Sequence, residues 1–450
     1  MHPTIAPFDG PTRPSRPSRV ARLLINRDFA LLWGGQAVSN LGDWVFNTTL
    51  LLWIATVLTY GQSWAPLAVS GVLAARSAPT LLVGPLAGVF ADRWDKRRVL
   101  LWADALRALL ILALIPASTL LPAGWQLGAI YGVVALAAAC QQFFDPARLA
   151  LVGDVVAEPD RPRASSLEQV MFAFAIVAGP TLAAPLYFGL GVQWALLANA
   201  LSFALSFAAV LRIHLSRSTA APLEGRTHAL RELADGLRLF ARSRALMALL
   251  VAGVLVMLGS GALSALNIFF LTQNLRASAS LYGLLSGTTG VGLLVGAVAG
   301  GLIAARVGLA RVLWLSLVAL GLLVLLYARL TGFGPALTVL FLVGIPNGTL
   351  NIVVDPLLLR LAPRAFIGRA SAVLLPAMSL AALVSIALAG LLDSTVLHSF
   401  HTRLLGLTLG PIDTIFTAAG LLCLAGGLYA MVNLRDDALP TVRHEGDEAA

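Results

Sequence analysis

Long apolar runs, separated by short polar or Gly/Pro-rich punctuation, fill most of this 450-residue chain. A bilayer core of about 30 Å needs roughly 20 apolar residues in a helix. By that measure, spans fall at 29–58, 65–91, 98–120, 124–147, 164–190 and 193–214, then at 246–273, 280–305, 310–330, 334–361, 368–393 and 410–434. The pattern predicts an all-α polytopic membrane protein with twelve transmembrane helices in two six-helix bundles. Residues 1–26 read as a disordered tail, 27–214 as the first bundle, 215–245 as a linker, 246–434 as the second bundle and 435–450 as a second tail. Within the linker, HALRELADGLRLFARSR places Leu230, Leu233, Leu237 and Phe240 on one helical face. Arg231, Glu232, Asp235, Arg238 and Arg242 take the other face. That is an amphipathic helix on a membrane surface, although a solvated linker helix fits the same pattern.

Composition agrees. The chain is 58% hydrophobic and 12% charged, with mean hydropathy +0.85. So few charges cannot clothe a water-soluble body, where roughly 25% is usual. The net charge of +9 does not point to nucleic acid, because the basic residues gather in alternate short loops. One set holds Arg93, Lys96, Arg97 and Arg98, then Arg148, Arg161 and Arg163, then the 212–244 segment, then Arg306 and Arg311, then Arg360, Arg364 and Arg369. The opposite loops hold Arg276, Arg329 and Arg403. The basic set, with both termini, is expected to face the cytoplasm. The opening MHPTIAPFDGPTRPSRPSRV has no apolar core and does not read as a secretory signal. Cys140 and Cys423 sit in apolar segments without metal or disulfide spacing.

The two bundles are related. LVGPLAG at 82–88 recurs as LVGAVAG at 294–300, and the basic turn that follows recurs, weakened, as AARVGLARV at 304–312. Asp145-Pro146 with Arg148 is matched by Asp355-Pro356 with Arg360, and RPRASS at 161–166 by FIGRASA at 366–372. Matches in the same order argue for duplication and a pseudo-two-fold axis, a recurring architecture in carriers.

These residues resemble the major facilitator superfamily over essentially the whole chain. The loop after the second span fits that family's G-x-x-x-D-R-x-G-x-R-R signature through Gly88, Asp92, Arg93, Arg97 and Arg98, with Asp95 where glycine is usual. DPARLALVGDVV at the end of the fourth span, and NLGDW in the first, resemble a bacterial exporter subgroup that includes siderophore and macrolide efflux proteins. GPTLAAP at 179–185 is similar to the antiporter signature G-P-x-x-G-G through Gly179 and Pro180, with Ala183 and Ala184 replacing the two glycines. Small-residue packing without directional meaning explains that stretch equally. The resemblance implies a multi-pass transporter of the bacterial inner membrane, and no enzyme. It also implies that Asp92 and its neighbours hold the cytoplasmic side closed against the eleventh span near Gly368, with Asp145 and Arg148 in the same gate. Simple loop anchoring is the alternative.

Ionisable groups inside a membrane are costly and usually functional. Asp43 lies about 21–23 Å into the first span at 1.5 Å per residue, and Arg76 about 24 Å from the same side in the antiparallel second span. A pair at one depth would offset part of each desolvation cost. Asp43 is the expected proton-coupling carboxylate, with Arg76 setting its charge; a static ion pair pinning two helices is the alternative. Gln36, Asn40, Asp43 and Asn47 share one helical face and, with the aromatic Phe46, would wall a water-filled substrate cavity. Asn267, Asn347 and Asn351 would face it from the other bundle, unless they serve interhelical hydrogen bonds. Arg107 follows Asp104 by three residues and reads as a local pair. Glu168 reads as part of the cytoplasmic charge network.

No phosphate-cradling G-x-x-x-x-G-K-[ST] occurs, so no nucleotide cofactor is expected. No metal site is expected either; His398 and His401 read as solvated loop residues. The expected partners are a small amphipathic molecule (drug-like or a siderophore), protons and the bilayer, acting on a monomer. An uptake symporter, a lysolipid mover and a non-transporting scaffold or sensor remain as rivals.

Overall fold

The fold is given by a computed structural model, which describes residues 25–84, 87, 94–213, 229–363, 366–398, 400, 402–404 and 407–434. Among them are 12 helices long and apolar enough to cross a membrane. In chain order these are α1 (Arg27–Trp53, continued by a π-helical turn to Leu58), α2 (Ala65–Leu82), α3 (Lys96–Leu120), α4 (Ala123–Val155), α5 (Arg161–Leu190) and α6 (Val192–Leu211). A shorter helix, α7 (Ala229–Arg242), precedes α8 (Arg244–Phe269), α9 (Tyr282–Val307), α10 (Leu309–Tyr327), α11 (Phe333–Leu361), α12 (Ile367–Leu391) and α13 (Pro411–Asn433).

Local chemistry sets the ends of these helices. Asn26 caps α1 by accepting from Phe29 N–H and ties it to α4 by donating to Val155 O at 2.7 Å. Asp95 caps α3 by accepting from Arg98 N–H at 2.9 Å, and Ser243 caps α8. Gly191 (φ 99°) and Gly308 (φ 98°) supply the left-handed turns that join α5 to α6 and α9 to α10 with almost no loop.

The helices pack as two bundles with one shared pattern. In the first, α1 packs on α5 and α6, α3 on α4 and α6, and α2 on α4. In the second, α8 packs on α12 and α13, α10 on α11 and α13, and α9 on α11. The bundles meet through α2 on α12 and α5 on α9, a pair of contacts that the same two-fold relation exchanges. Small residues make the contacts between and within bundles close. Gly283 faces the Pro180 carbonyl and Ala184, Gly287 faces Thr181, and Gly390 faces Ser70 and the Pro66 carbonyl. Ser394 Oγ accepts from Leu67 N–H at 3.1 Å. All these contacts lie toward the face whose loops are poor in Arg. At the basic face, the ion pairs Lys96–Asp154 (2.7 Å), Arg148–Glu168 (2.5 Å) and Arg369–Asp235 (3.6 Å) each stay within one half.

Three expectations change. α4 runs on to Val155, eight residues beyond the expected end at 147, because Ala147, Leu151 and Val152 pack into a core with Phe29 and Leu32. The connection between α12 and α13 contains a two-stranded hairpin, Thr402–Leu404 paired with Leu407–Leu409, where only loop was expected. In α7, Gly236 and Phe240 are buried while Leu237 is exposed. Gly236 abuts the Arg369 carbonyl and Val373, so the helix docks on α12 through a face rotated from the leucine stripe. Leu230, Leu233, Arg231 and Glu232 have side chains outside the described set. So do the tail residues 1–24 and 435–450, and most of the linker.

Candidate functional site

The first bundle contains an ionic chain with a buried centre. Gly35 and Gly42 let α1 approach α6 closely, Gly35 against Ser206 and Gly42 against Ser202 and Asn199. That brings Gln36 to Ser206, its Nε2 donating to Oγ at 3.2 Å. Ser206 Oγ in turn donates to Asp104 Oδ2 at 2.6 Å. Asp104 Oδ1 pairs with Arg107 Nη2 at 2.7 Å, and the two side chains are 0% and 3% exposed. Arg107 donates from Nη1 to Gln141 Oε1, and Gln141 Nε2 donates to Asp145 Oδ1 at 2.6 Å. The guanidinium also lies 4.4 Å from the centroids of both Phe144 and Phe203, a doubled cation–π contact. One chain of polar groups therefore links α1, α6, α3 and α4. The expected local Asp104–Arg107 pair exists, but as the centre of this bundle's packing. The sequence offered one faint sign of the rest, the four-residue spacing of Gln141 and Asp145.

Asp43 stands beside this chain, half-buried on α1. Asn199, Arg107 and Arg76 are within electrostatic reach of its carboxyl. Asp43 and Arg76 do not form the ion pair that their common depth suggested. Arg76 is exposed, and its guanidinium sits 5.9 Å from the centroid of the Trp44 ring. The Trp44 ring face is the contact the guanidinium makes in place of the carboxylate.

The polar stripe of α1 divides. Gln36 (4% exposed) and Phe46 (4%) are buried between helices and do not wall a cavity. Periodicity gave the face of α1 but not the neighbour that covers it. Asn40 and Asn47 are half-buried and donate to carbonyls of their own helix, Gln36 O at 3.1 Å and Asp43 O at 2.6 Å. Asn267 does not face the cavity either: its Oδ1 accepts from Tyr327 Oη at 2.6 Å inside the second bundle. Asn347 and Asn351 do line a cavity, of about 210 Å³, together with Asp355 on α11 and residues of α8, α10 and α12.

A family model for transmembrane secretion effectors matches residues 20–401. The chain belongs to that family of major facilitator transporters. The MFS-type transporter YfiS of Bacillus subtilis (strain 168) is 26% identical over 50% of the chain and 51% of its own length. BacE of Bacillus amyloliquefaciens, a candidate bacilysin exporter, is 30% identical over 40% of the chain and 43% of its own length. The chain thus matches about half the length of these relatives, although the match to YkuC of Bacillus subtilis (strain 168), at 24% identity, covers 82% of the chain and 86% of that protein. Among solved structures, a point mutant of the nucleoside transporter NupG gives a TM-score of 0.69 at 14% identity, covering 91% of this chain and 100% of that one. An inward-facing bacterial homologue of the iron transporter ferroportin gives 0.68 at 16%, covering 93% and 100%. These likenesses show the fold, two six-helix halves.

For this secretion-effector transporter, part of the expected gate lies outside the described residues, namely Gly88, Asp92 and Arg93. The remaining charged members serve the first half. Arg97 donates to the last carbonyls of α6, Val210 O at 3.2 Å and Leu211 O at 2.5 Å, where a cation suits the helix dipole. Arg98 extends α3 from the Asp95 cap and lines a groove with Trp94 and Trp102. Arg148 joins α4 to Glu168 of α5. Gly179 lets α5 lie against Trp44 of α1, and the next carbonyl, of Pro180, meets Gly283 of α9. The Gly-Pro pair therefore sits where three helices and both halves converge. The α12 end near Gly368 is engaged by α7, through Asp235 on Arg369.

Proposed function

We propose that this transporter is a proton-driven exporter of an amphipathic small molecule, working by alternating access in the bacterial inner membrane with both termini cytoplasmic. The observation that carries the reading is that the contacts between bundles named above lie at one face among the described residues. The bundles touch at the Arg-poor face, where Pro66, Ser70 and Pro180 meet Gly390 and Gly283. Toward the basic face Asp145, Asn351 and Asp355 are exposed at span positions. With basic loops inside, that arrangement corresponds to an inward-open carrier ready to load cargo from the cytoplasm. Resemblance to BacE, over less than half of that protein, favours export over uptake.

Asp43 is the coupling carboxylate in this reading. It is the half-buried acid in the middle of α1, with Arg76 and Arg107 in electrostatic reach. A rocking motion that changes the distance to Arg76 changes how readily Asp43 holds a proton. Asp92 and the basic turn around it would latch the cytoplasmic side in the opposite state. A single chain suffices for all these steps. Everted membrane vesicles energised with a proton gradient test the proposal. Wild-type vesicles should accumulate cargo, and Asp43→Asn vesicles should lose the gradient-driven component at least tenfold while retaining exchange. Equal gradient dependence in both would remove Asp43 from the mechanism, and flux only out of everted vesicles would reverse the direction.

A further inference from the structure

The two halves treat one carboxylate in opposite ways. The shared Asp-Pro pairs align Asp145 with Asp355 and Gln141 with Asn351. The shared Arg-Val-Leu at 98–100 and 311–313 aligns Asp104 with Leu317 and Arg107 with Leu320. In the first half, Arg107 fills the space between α3 and α4 and neutralises the polar wall through Gln141 and Asp145. In the second half, the corresponding positions are Leu317 and Leu320, buried at 2% and 3%. Among the residues lining that region, no cation replaces the arginine. A cavity of about 210 Å³ lies between α8, α10, α11 and α12, and Leu317, the counterpart of Asp104, lines it.

Asn347, Asn351 and Asp355 form one wall of that cavity, spaced four residues apart along α11. None of the three side chains hydrogen-bonds or ion-pairs with a described residue. The facing walls are apolar: Leu249 and Val256 of α8, Leu313 and Leu317 of α10, and Met378 of α12. Nearby basic side chains are otherwise disposed. Arg369 is turned to Asp235, Arg311 has a partner of its own, and Arg360 projects from another side of α11, five residues on from Asp355.

We propose that this cavity binds the protonated amine end of an organic cation, which supplies beside Asp355 the kind of positive charge that Arg107 supplies in the other half. Asp355 supplies the counter-charge, the Asn347 and Asn351 amide oxygens accept N–H donors, and the leucine-rich walls hold the hydrocarbon next to the nitrogen. The volume is below the roughly 300–1,000 Å³ of sites that enclose a whole ligand, so the cavity takes one end of a larger molecule. The inference rests on the export reading only for the idea that the amine belongs to transported cargo.

Binding to the purified full-length protein in lipid nanodiscs, without any gradient, tests the site independently of flux. The probes are 2-phenylethylammonium and its neutral counterpart 2-phenylethanol. Saturable ammonium binding is expected, at least tenfold weaker in Asp355→Asn and abolished in Leu317→Arg, which puts a cation into the cavity wall. The alcohol should bind no more tightly than to empty nanodiscs. Should those variants not fold, Asn351→Asp reads the same wall and should tighten the ammonium at least threefold. Equal affinity for amine and alcohol, unchanged affinity in Asp355→Asn, or no gain in Asn351→Asp would each overturn the proposal. A protein that binds the amine but moves nothing would instead refute the export reading and leave the site standing.

Discussion

The first bundle closes its polar groups on one another, and the second leaves the corresponding groups open. Gln36, Ser206, Asp104, Arg107, Gln141 and Asp145 form a continuous chain in one half. In the other half Leu317 and Leu320 replace the ion pair, and Asn347, Asn351 and Asp355 face a cavity. The two bundles thus share a backbone plan but differ inside: one encloses a buried charge pair, the other has a cavity in the corresponding region. The same helix contacts recur in both, so this difference lives in side chains and not in topology.

The largest effect should come from breaking the buried pair on one side. Arg107→Met leaves Asp104, 0% exposed, without a counter-charge and should destabilise the first half by about 3–5 kcal/mol. Thermal unfolding in nanodiscs would report it. Installing the second half's solution, Asp104→Leu with Arg107→Leu, should recover most of that loss, because replacing a whole buried pair with apolar residues is often near neutral. A double variant as unstable as the single one would mean that the halves are not interchangeable in this respect.

Next in size is the contact between halves. Gly283→Val places side-chain atoms against the Pro180 carbonyl and Ala184. Overpacking of about 1–3 kcal/mol should weaken closure at the Arg-poor face. Distance distributions between labels on α5 and α9 should broaden toward longer values, and a distribution identical to wild type would show that this contact is not part of the closure.

Much of this plan was legible in the residues. Apolar runs of bilayer length announce their helices because a helix satisfies all its backbone groups within one segment, as lipid requires. Repeated Asp-Pro and Gly-rich marks exposed the duplication. The ionic chain was harder to see: an i,i+3 Asp–Arg pair reads the same on a solvated surface as in a core. Only the packing of α6 on α3 brings Ser206 to Asp104, and only the close approach of α1, permitted by Gly35 and Gly42, adds Gln36. Equal depth of Asp43 and Arg76 likewise fixed height but not azimuth, and the Trp44 ring drew the guanidinium elsewhere. The rotated face of α7 has the same origin, since a neighbour decides which side of an amphipathic helix is covered.

Smaller effects sharpen the picture further. Ser206→Ala removes both the link from Gln36 and the donor to Asp104, and should cost about 1–3 kcal/mol by leaving buried groups unpaired. Glu168→Gln should cost less than about 1 kcal/mol, because its pair with Arg148 is partly solvated, each side chain being 22% exposed. Both are read by the same unfolding assay, and a Glu168 effect exceeding that of Ser206 would invert the proposed ranking of wet and dry polar contacts.

The central claim is that the two halves rock between closure at the Arg-poor face and closure at the basic face under a proton gradient. Spin-label distances measured together across both faces test it most directly, with cysteines at Leu67 and Ser394 for one and at Ser165 and Arg238 for the other. The account predicts a short first distance and a long second one at rest, exchanging populations when a gradient is imposed in liposomes, with the exchange lost in Asp43→Asn. Two distances that stay fixed under every gradient, or that change identically in Asp43→Asn, would contradict it.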